Sequence, residues 1–519
     1  MQEKLKKLLY ILNKYFSLFF AGCLSSLAFP STFFIPILIL GFIIFFKELL
    51  SETNNKSFFL TGFSFGFGHF LVGLHWIYFP ITFDAKYENW AILITLFFIA
   101  FMSFFFAIQT RVVGSLVINN SQLKNNPLIK IFLISGIFFF FEILRSFVFG
   151  GFPWNLYSHI WSFNEQFLSV SSIIGIHGLS FISIYWIVLT SILYFKNKFY
   201  SLICLVLFPS FLFFISYEKE KYNPEKKIVV RIVQPNIPQQ DKWKKKKVFE
   251  NLKTLISLSN KDYKANKPDL VVWPESALTF FVNENENLLE YLKKNLNKEI
   301  ILISGGLRRQ TTNNKTRIYN SLYLIKDGAI LNYYDKKKLV PFGEYMPLGK
   351  FIKFKKLTDG NLDFSKGSKS AFHEVMIENN KFNIQTNICY EGIFTMRDKI
   401  KQTPNLIINI TNDAWFGDTS GPSQHIAAYQ SRITEIGIPA VRVANSGISA
   451  FFNAEGKIIN KMDLNSRGYI QHEFNLAVKS SIFDKFGIST TTIMIFLLSI
   501  FSIIIDWFLK KSRKKDFLV

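Results

Sequence analysis

Apolar residues follow two rhythms along this chain. Up to about residue 216 they run in long blocks with almost no charge, of the length that carries a helix across a bilayer. The first block, 15–46, is interrupted by Phe29-Pro30-Ser31 and reads as two short spans; clearer ones follow at 58–79, 90–110, 129–149, 167–195 and 199–216, with one more at 488–509. From about Lys226 the pattern changes to short β-branched runs parted by polar and helical stretches, the rhythm of an α/β domain. Candidate strands are 228–233, 270–273, 300–304, 321–325, 329–333, 382–387, 406–410 and 447–452, with amphipathic helices at 241–264 and 283–297. Lys326-Asp327-Gly328 and Asn453-Ala454-Glu455-Gly456 read as hairpin turns. The expected organisation is a seven-helix transmembrane domain over 1–220, a polar α/β domain over 221–485, and an eighth transmembrane helix with a basic tail over 486–519.

Composition agrees with that division. Of 519 residues, 49% are hydrophobic and 17% aromatic while only 19% are charged, which excludes both a disordered chain and an ordinary soluble enzyme. Sixty Lys and Arg against 37 Asp and Glu give a net charge of +23, which suits an anionic lipid surface. Nucleic acid is not expected, because no basic stripe interleaves with stacking aromatics outside the apolar blocks. Lys4, Lys6 and Lys7 at one end, and Lys510, Lys511, Arg513, Lys514 and Lys515 at the other, predict cytoplasmic termini. With an even number of spans, 217–485 then falls on the outer face. No small-residue cleavage site follows the first apolar run, so it is expected to stay as an anchor.

Within the apolar blocks, Glu142 and Arg145 stand three apart on one helical face and can pair; a structural ion pair and a functional one are equally open. Gly62, Gly66 and Gly68 mark a close-packing helix face. Gly150-Gly151-Phe152-Pro153-Trp154 reads as a turn with an interfacial aromatic.

Chemistry concentrates in the α/β domain, in polar clusters that close strands. Val272-Trp273-Pro274-Glu275-Ser276 places an acid directly after a buried-type run, although a lone Glu there is more often a cap or solvated. Tyr334-Asp335-Lys336-Lys337-Lys338 carries three lysines, a pattern normally found on a solvated face. Thr386-Asn387-Ile388-Cys389-Tyr390-Glu391 ends an apolar strand on a single cysteine; with only Cys23 and Cys204 besides, no disulfide framework exists. Asn412-Asp413-Ala414-Trp415-Phe416-Gly417-Asp418 is a polar, aromatic loop after another strand, whose residues also suit plain turn-making.

No Gly-x-Ser-x-Gly elbow, Walker loop or Cys-x-x-Cys occurs, and the seven His never fall in a His-x-x-x-His arrangement, so serine hydrolysis and metal catalysis are not expected and no cofactor is implied. What remains is a Glu, a Lys and a Cys, each closing a strand. A thiol with an ordinary pKa near about 8.5 needs a base and a nearby cation to react at neutral pH. The Glu can take its proton, and the Lys can favour the thiolate and stabilise an oxyanion. The N–H of Tyr390 is a second oxyanion donor.

Trp-Pro-Glu-Ser, Tyr-x-Lys-x-x-Leu-Val-Pro-Phe-Gly-Glu and Cys-Tyr-Glu, in that order, resemble the signatures of the nitrilase superfamily, whose Glu-Lys-Cys triad sits in an αββα sandwich. With the apolar blocks around them, and with Gln234-Pro235-Asn236, Trp243, Tyr319-Asn320-Ser321-Leu322, the Asn412–Asp418 loop and Gly151-Phe152-Pro153-Trp154, the chain resembles the membrane-bound branch of that superfamily, the apolipoprotein N-acyltransferases of the bacterial inner membrane. The resemblance implies eight transmembrane helices with an inserted nitrilase-like sandwich on the periplasmic face. It also implies Glu275 as general base, Lys336 rather than Lys337 or Lys338 as oxyanion stabiliser, Cys389 as nucleophile and Glu344 as a supporting acid. Tyr390 and Glu391 would support the nucleophile loop, and Trp243, Trp415 and Asn412 would meet lipid. The implied reaction is ping-pong: a phospholipid acylates Cys389, and the α-amine of a lipoprotein's diacylglyceryl-cysteine takes the acyl chain. A monomer is expected. A membrane-tethered amidase using water, and a transporter with a degenerate outer domain, are the rival readings.

Overall fold

The computed structural model describes residues 2–123, 126–215, 227–347, 363–394, 403–476 and 481–515, the last seven by backbone alone. The expected domain limit at 220/221 and Lys124 lie outside the described residues. The chain divides into two compact units: Met1–Tyr78, Trp90–Glu218 and Ser481–Val519 form one, and Phe79–Asn89 with Lys219–Ser480 the other.

The first unit is helical. Among the described residues, five helices are long and apolar enough to cross a membrane: Gln2–Ser26, Glu88–Ile118, Pro127–Gly150, Ser171–Lys196 and Ile488–Phe508. Asn55–Gly73 and His75–Thr82, bent by 61° at the break between them, make a sixth if taken as one span. The remaining two expected blocks form helices Ile35–Ser51 and Lys198–Phe214 of 17 residues each. At about 1.5 Å per residue they reach roughly 25 Å, short of a hydrocarbon core of about 30 Å. Every predicted block is therefore helical, but the eight are not of equal reach. The first helix begins at Gln2, well before the apolar block, and ends in the turn that carries Phe29 and Pro30.

Glycine faces do bring these helices together. A Cβ on Gly22 would meet the Phe65 carbonyl, and one on Gly68 the Phe19 carbonyl. Glu142 and Arg145 are both tied to the chain that follows their helix: Glu142 Oε1 accepts the Tyr157 N–H at 2.8 Å, and Arg145 Nη1 donates to the Phe152 and Trp154 carbonyls at 3.1 and 2.6 Å. Trp154 is 2% exposed, parallel to Phe152 and against Trp76, so the expected interfacial anchor is a buried packing residue.

Among the described residues the second unit has thirteen strands: β1 (Lys227–Gln234), β2 (Leu270–Val272), β3 (Leu278–Phe281), β4 (Ile301–Thr312), β5 (Lys315–Lys326), β6 (Ala329–Asp335), β7 (Phe372–Ile377), β8 (Asn380–Ile388), β9 (Leu406–Thr411), β10 (Ala440–Ala444), β11 (Ser449–Phe452), β12 (Ile458–Met462) and β13 (Gly468–Asn475). A seven-stranded sheet runs β13-β1-β2-β4-β5-β6 with β3 on β4, and a six-stranded one runs β12-β11-β10-β9-β8-β7. The centre of each is parallel, β1-β2-β4 in one and β8-β9-β10 in the other, and antiparallel strands flank both. Alternate residues of the two sheets, such as Ile228, Val230 and Ile232 against Ile384, Ile408 and Val443, bury one apolar layer between them. Helices Lys245–Asn260 and Glu286–Asn295 cover the outside of the first sheet, and Gly421–Ile436 covers the second. The result is an αββα sandwich. Its parallel strands direct their C-terminal loops to one place: the Glu275 N–H, after β2, meets the Thr411 carbonyl at the end of β9, and the Asn236 N–H, after β1, meets the Asn445 carbonyl after β10.

Candidate active site

Glu275 follows the fully buried strand β2 and is itself buried. Its Oε1 accepts from Lys336 Nζ at 3.2 Å and from Asn320 Nδ2 at 2.8 Å. Lys336 is the first residue beyond β6, held by its N–H on the Asn320 carbonyl, and is 1% exposed. The same ammonium reaches Glu344 Oε1 at 3.0 Å, and Asn320 Nδ2 donates to that oxygen at 2.9 Å. Glu344 Oε2 takes the Val340 N–H, which folds the loop after Lys336 back over the cluster. Burial alone would drive the Glu275 carboxyl up, but the Lys336 ammonium and the Asn320 amide outweigh it and hold the carboxyl below its ordinary value. For Lys336, burial is overcome by the two carboxylates, which keep it charged far above the usual lysine range.

Cys389 leaves β8 at φ +53°, a left-handed backbone conformation that a non-glycine residue adopts only when its surroundings enforce it. Burial and the Glu275 charge push its thiol up to about 12, against the pull of Lys336. The thiol is thus protonated beside an ionised carboxylate. Glu391, two residues on, fixes the elbow: Oε2 accepts the Ile388 N–H at 2.9 Å, while Oε1 accepts the N–H groups of Lys337 and Lys338 at 2.7 and 3.0 Å and the Tyr334 hydroxyl at 2.9 Å. One carboxylate therefore ties the cysteine loop of one sheet to the lysine loop of the other. Tyr390 is buried, its ring edge-on to Phe394.

The triple lysine is not one solvated face. Lys336 is buried in the cluster, and Lys338 is half-buried with Nζ 3.3 Å above the Phe394 ring, its pKa lowered by burial to about 8. The residues expected to meet lipid do not join the carboxylate cluster. Asn412 Nδ2 donates to Gln239 Oε1 at 2.8 Å; Trp415 meets Phe83 edge-on at 5.4 Å; Trp243 is half-buried on the turn before helix Lys245–Asn260. Gly417, at φ +60°, leaves room in the same loop for the Phe79 ring.

A match to the family described as apolipoprotein N-acyltransferase N-terminal domain covers residues 21–193, and a match to carbon-nitrogen hydrolase covers 229–481. A protein named apolipoprotein N-acyltransferase from Rickettsia typhi is 37% identical to this chain, covering 90% of it and 94% of its own length. The chain belongs to the apolipoprotein N-acyltransferase family. Relatives of that name from Rickettsia bellii and Rhizobium rhizogenes are 35% and 30% identical; the first alignment covers 95% of this chain and 98% of the relative, the second 82% of each. The carbon-nitrogen hydrolase match accounts for the nitrilase-like sandwich and spans Glu275, Lys336 and Cys389.

Three further residues complete the site. Asn320 bridges Glu275 and Glu344; its signal is an amide inside an otherwise apolar strand, quoted above within a motif but given no task. Lys242 is buried, donates Nζ to the Glu275 carbonyl at 2.8 Å and is lowered by burial to about 8, yet in sequence it is one lysine among several. Thr411 ends β9 with its carbonyl on the Glu275 N–H and its hydroxyl donating to Asp413 Oδ1 at 3.2 Å, and nothing in its strand distinguishes it.

Proposed function

We propose that this chain moves an acyl chain from a membrane phospholipid to the α-amine of the N-terminal diacylglyceryl-cysteine of lipoproteins, with Glu275, Lys336 and Cys389 as the reacting triad. The observation that carries the reading is Lys336 sealed between Glu275 and Glu344 beside a thiol on a left-handed elbow, in a chain whose other unit consists of apolar helices.

An ionised Glu275 next to a protonated Cys389 is the starting state for general-base catalysis. When the donor's ester carbonyl reaches Sγ, Glu275 takes the thiol proton and sulfur adds to the carbonyl carbon. The Lys336 ammonium and the Tyr390 N–H stabilise the oxyanion. Collapse breaks the ester C–O bond, Glu275 returns the proton to the departing oxygen, and lysophospholipid leaves a Cys389 thioester. The acceptor amine then gives its proton to Glu275 and attacks, and the sulfur leaves with that proton. Because the thioester stores the acyl group, the two substrates need not bind together, which is a ping-pong sequence. Glu344 and Glu391 hold Lys336 and the elbow, and Trp243, Tyr390, Trp415 and Asn412 guide lipid to them.

The reading extends to the membrane. All eight apolar helices would span the inner membrane, the two shorter ones by local thinning. The basic termini would lie in the cytoplasm. The domain over 221–485 would stand in the periplasm, preceded by the seven helices of residues 1–220 and followed by the last helix and tail of 486–519. Glu275, Lys336, Glu344 and Cys389 would act within one chain, and the acting species is proposed to be a monomer.

Intact-mass spectrometry of the full chain incubated with phospholipid, with peptide mapping around Cys389, tests this directly. A hydroxylamine-labile acyl adduct on Cys389 that is discharged onto a diacylglyceryl peptide is expected. Discharge only to water would replace the reading with a hydrolase, and active protein without an adduct would remove the triad from the chemistry.

A further inference from the structure

Among the described residues of the sandwich, four that are neither Gly, Asn nor Asp hold a positive φ: Ser276, Phe342, Glu378 and Cys389. Glu378 stands in the two-residue turn between β7 and β8, where hairpin geometry asks for that conformation. The other three fall one each in the loops that carry Glu275, Lys336 and Cys389. Ser276 follows Glu275 at φ +50°, and Cys389 itself stands at +53°. Phe342, at +64°, lies between Lys336 and Glu344.

Phe342 is the bulkiest of the three and fits its position least. In the left-handed region a large side chain crowds the carbonyl that follows, and the turn position after a proline goes to Gly or Asn when φ is positive. Pro341 precedes Phe342, and the glycine comes one place late, at Gly343, whose φ is not left-handed. Burial does not offset the strain, because Phe342 is 53% exposed. The other exposed apolar side chains Leu331 and Met376 lie within β6 and β7 and carry no such strain. Hydrogen bonds hold the turn in place: the Phe342 N–H donates to the Tyr345 carbonyl at 2.8 Å, the Glu344 N–H to the Val340 carbonyl at 2.9 Å, and the Val340 N–H to Glu344 Oε2 at 2.8 Å. Glu344 Oε1 accepts from Lys336 Nζ at 3.0 Å. An outward aromatic ring is thereby fixed to the acid that grips Lys336, in a conformation its surroundings must enforce.

We propose that Phe342 is a specificity-determining residue, an apolar platform that receives an acyl chain of the lipid substrate beside the Lys336 loop. The inference rests on the acyl transfer proposed above and deepens it. A chain lying on the ring takes apolar surface of both partners out of water. The fixed backbone sets the direction in which the ring leaves the loop, so little freedom is lost when a chain settles on it. Acyl chains are carried by the phospholipid donor and by the diacylglyceryl acceptor alike, and the two half-reactions tell them apart.

The test uses the full-length, detergent-solubilised protein with phospholipids of short and of long acyl chain, reading acylation of Cys389 by intact mass, and then its discharge onto diacylglyceryl peptides of short and of long chain. Phe342→Asn, which suits a positive φ, is expected to melt no earlier than the unsubstituted protein. It is expected to raise KM about tenfold for the long-chain lipid and less than about twofold for the short-chain one, with kcat within about threefold. Phe342→Leu keeps an apolar surface and is expected to stay within about threefold on both. A chain-length-dependent loss in acylation supports the platform and assigns it to the donor; the same loss confined to discharge supports it and assigns it to the acceptor. Losses equal for short and long chains, with early melting or without it, or no loss in either half-reaction, overturn the platform alone. An unsubstituted protein whose Cys389 takes up no acyl chain overturns instead the acyl transfer beneath it.

Discussion

The helical unit and the sandwich use apolar side chains in opposite ways. In the sandwich, apolar side chains mark the inside: Ile228, Val230 and Ile232 are wholly buried between the sheets, and exposed positions are mostly polar. In the helical unit, apolar side chains mark both sides. Phe97 is 76% exposed and Ile92 and Leu93 more than half exposed, while the interior holds Ser25 against His69, Thr110 on the Phe58 carbonyl, and Glu142 on the Tyr157 amide. In one unit hydrophobicity says where the core is; in the other it says only that the surroundings are lipid, and the buried polar atoms say which faces meet. Buried charge also differs in kind. Glu142 and Arg145 hold backbone groups of the chain that follows their helix, whereas Glu275, Lys336 and Glu344 are aimed at one another with a thiol alongside.

Substitutions can break or sharpen that contrast. The largest effect is expected from Cys389→Ser, which should remove the acyl adduct by intact mass and cut transfer by roughly 10⁴-fold or more, leaving the melting temperature nearly unchanged. Glu275→Gln should cost about 10²–10⁴-fold in kcat/KM. Because Lys336 and Asn320 hold the Glu275 carboxyl below its ordinary value, it stays ionised as pH falls through the usual carboxylate range, and, if it is the base as proposed, the acidic limb of a kcat/KM profile should lie below that range. The sign for stability is the same: what the pairing contributes is present above the unfolded-state pKa and is lost as pH falls through the lower, folded one.

Lys336→Met should destabilise as well as inactivate. It leaves Glu275 and Glu344 facing each other without a cation, and a loss of about 3–5 kcal/mol is expected by denaturation, partly recovered at low pH where one acid takes a proton. Glu142→Gln in the helical unit should cost less, about 1–3 kcal/mol, with the transfer rate per folded molecule unchanged. Phe97→Leu on the outer face should shift detergent-solubilised stability by no more than about 0.5 kcal/mol. A Glu142 variant that folds normally but loses transfer would erase the distinction between structural and chemical buried charge.

The sequence made the contrast partly visible. Long blocks with almost no charge located every apolar helix among the described residues, because the lipid-facing and interior faces are both largely apolar and no period is needed to see them. Reach was harder to read, since Lys47, Glu48 and the charges beyond simply belong to helix Ile35–Ser51 and its end. In the sandwich the apolar parallel strands β1, β2, β4, β8 and β9 stood out, whereas β13 and β12, half-exposed and polar at the sheet edges, did not. Strand β10 was missed because Arg442 interrupts its apolar run, and only the fold shows the guanidinium neutralised by Asp413. At the site, Glu275 and Cys389 were legible as polar residues ending apolar runs. Lys336 could be separated from its two neighbours only by resemblance, because strand alternation breaks down where β6 ends. Asn320, Lys242 and Thr411 make contacts between segments far apart in sequence, and no local pattern carries that information.

The Glu391 carboxylate gives the sandwich a built-in reporter. The amide hydrogens of Lys337, Lys338 and Ile388 all end on its two oxygens, though they belong to loops from opposite sheets. In deuterated water none of them can be released without dislodging that side chain, so the three amides should exchange at a common rate set by separation of the two loops. Their shared protection would measure how often the acid side and the thiol side of the chemistry come apart.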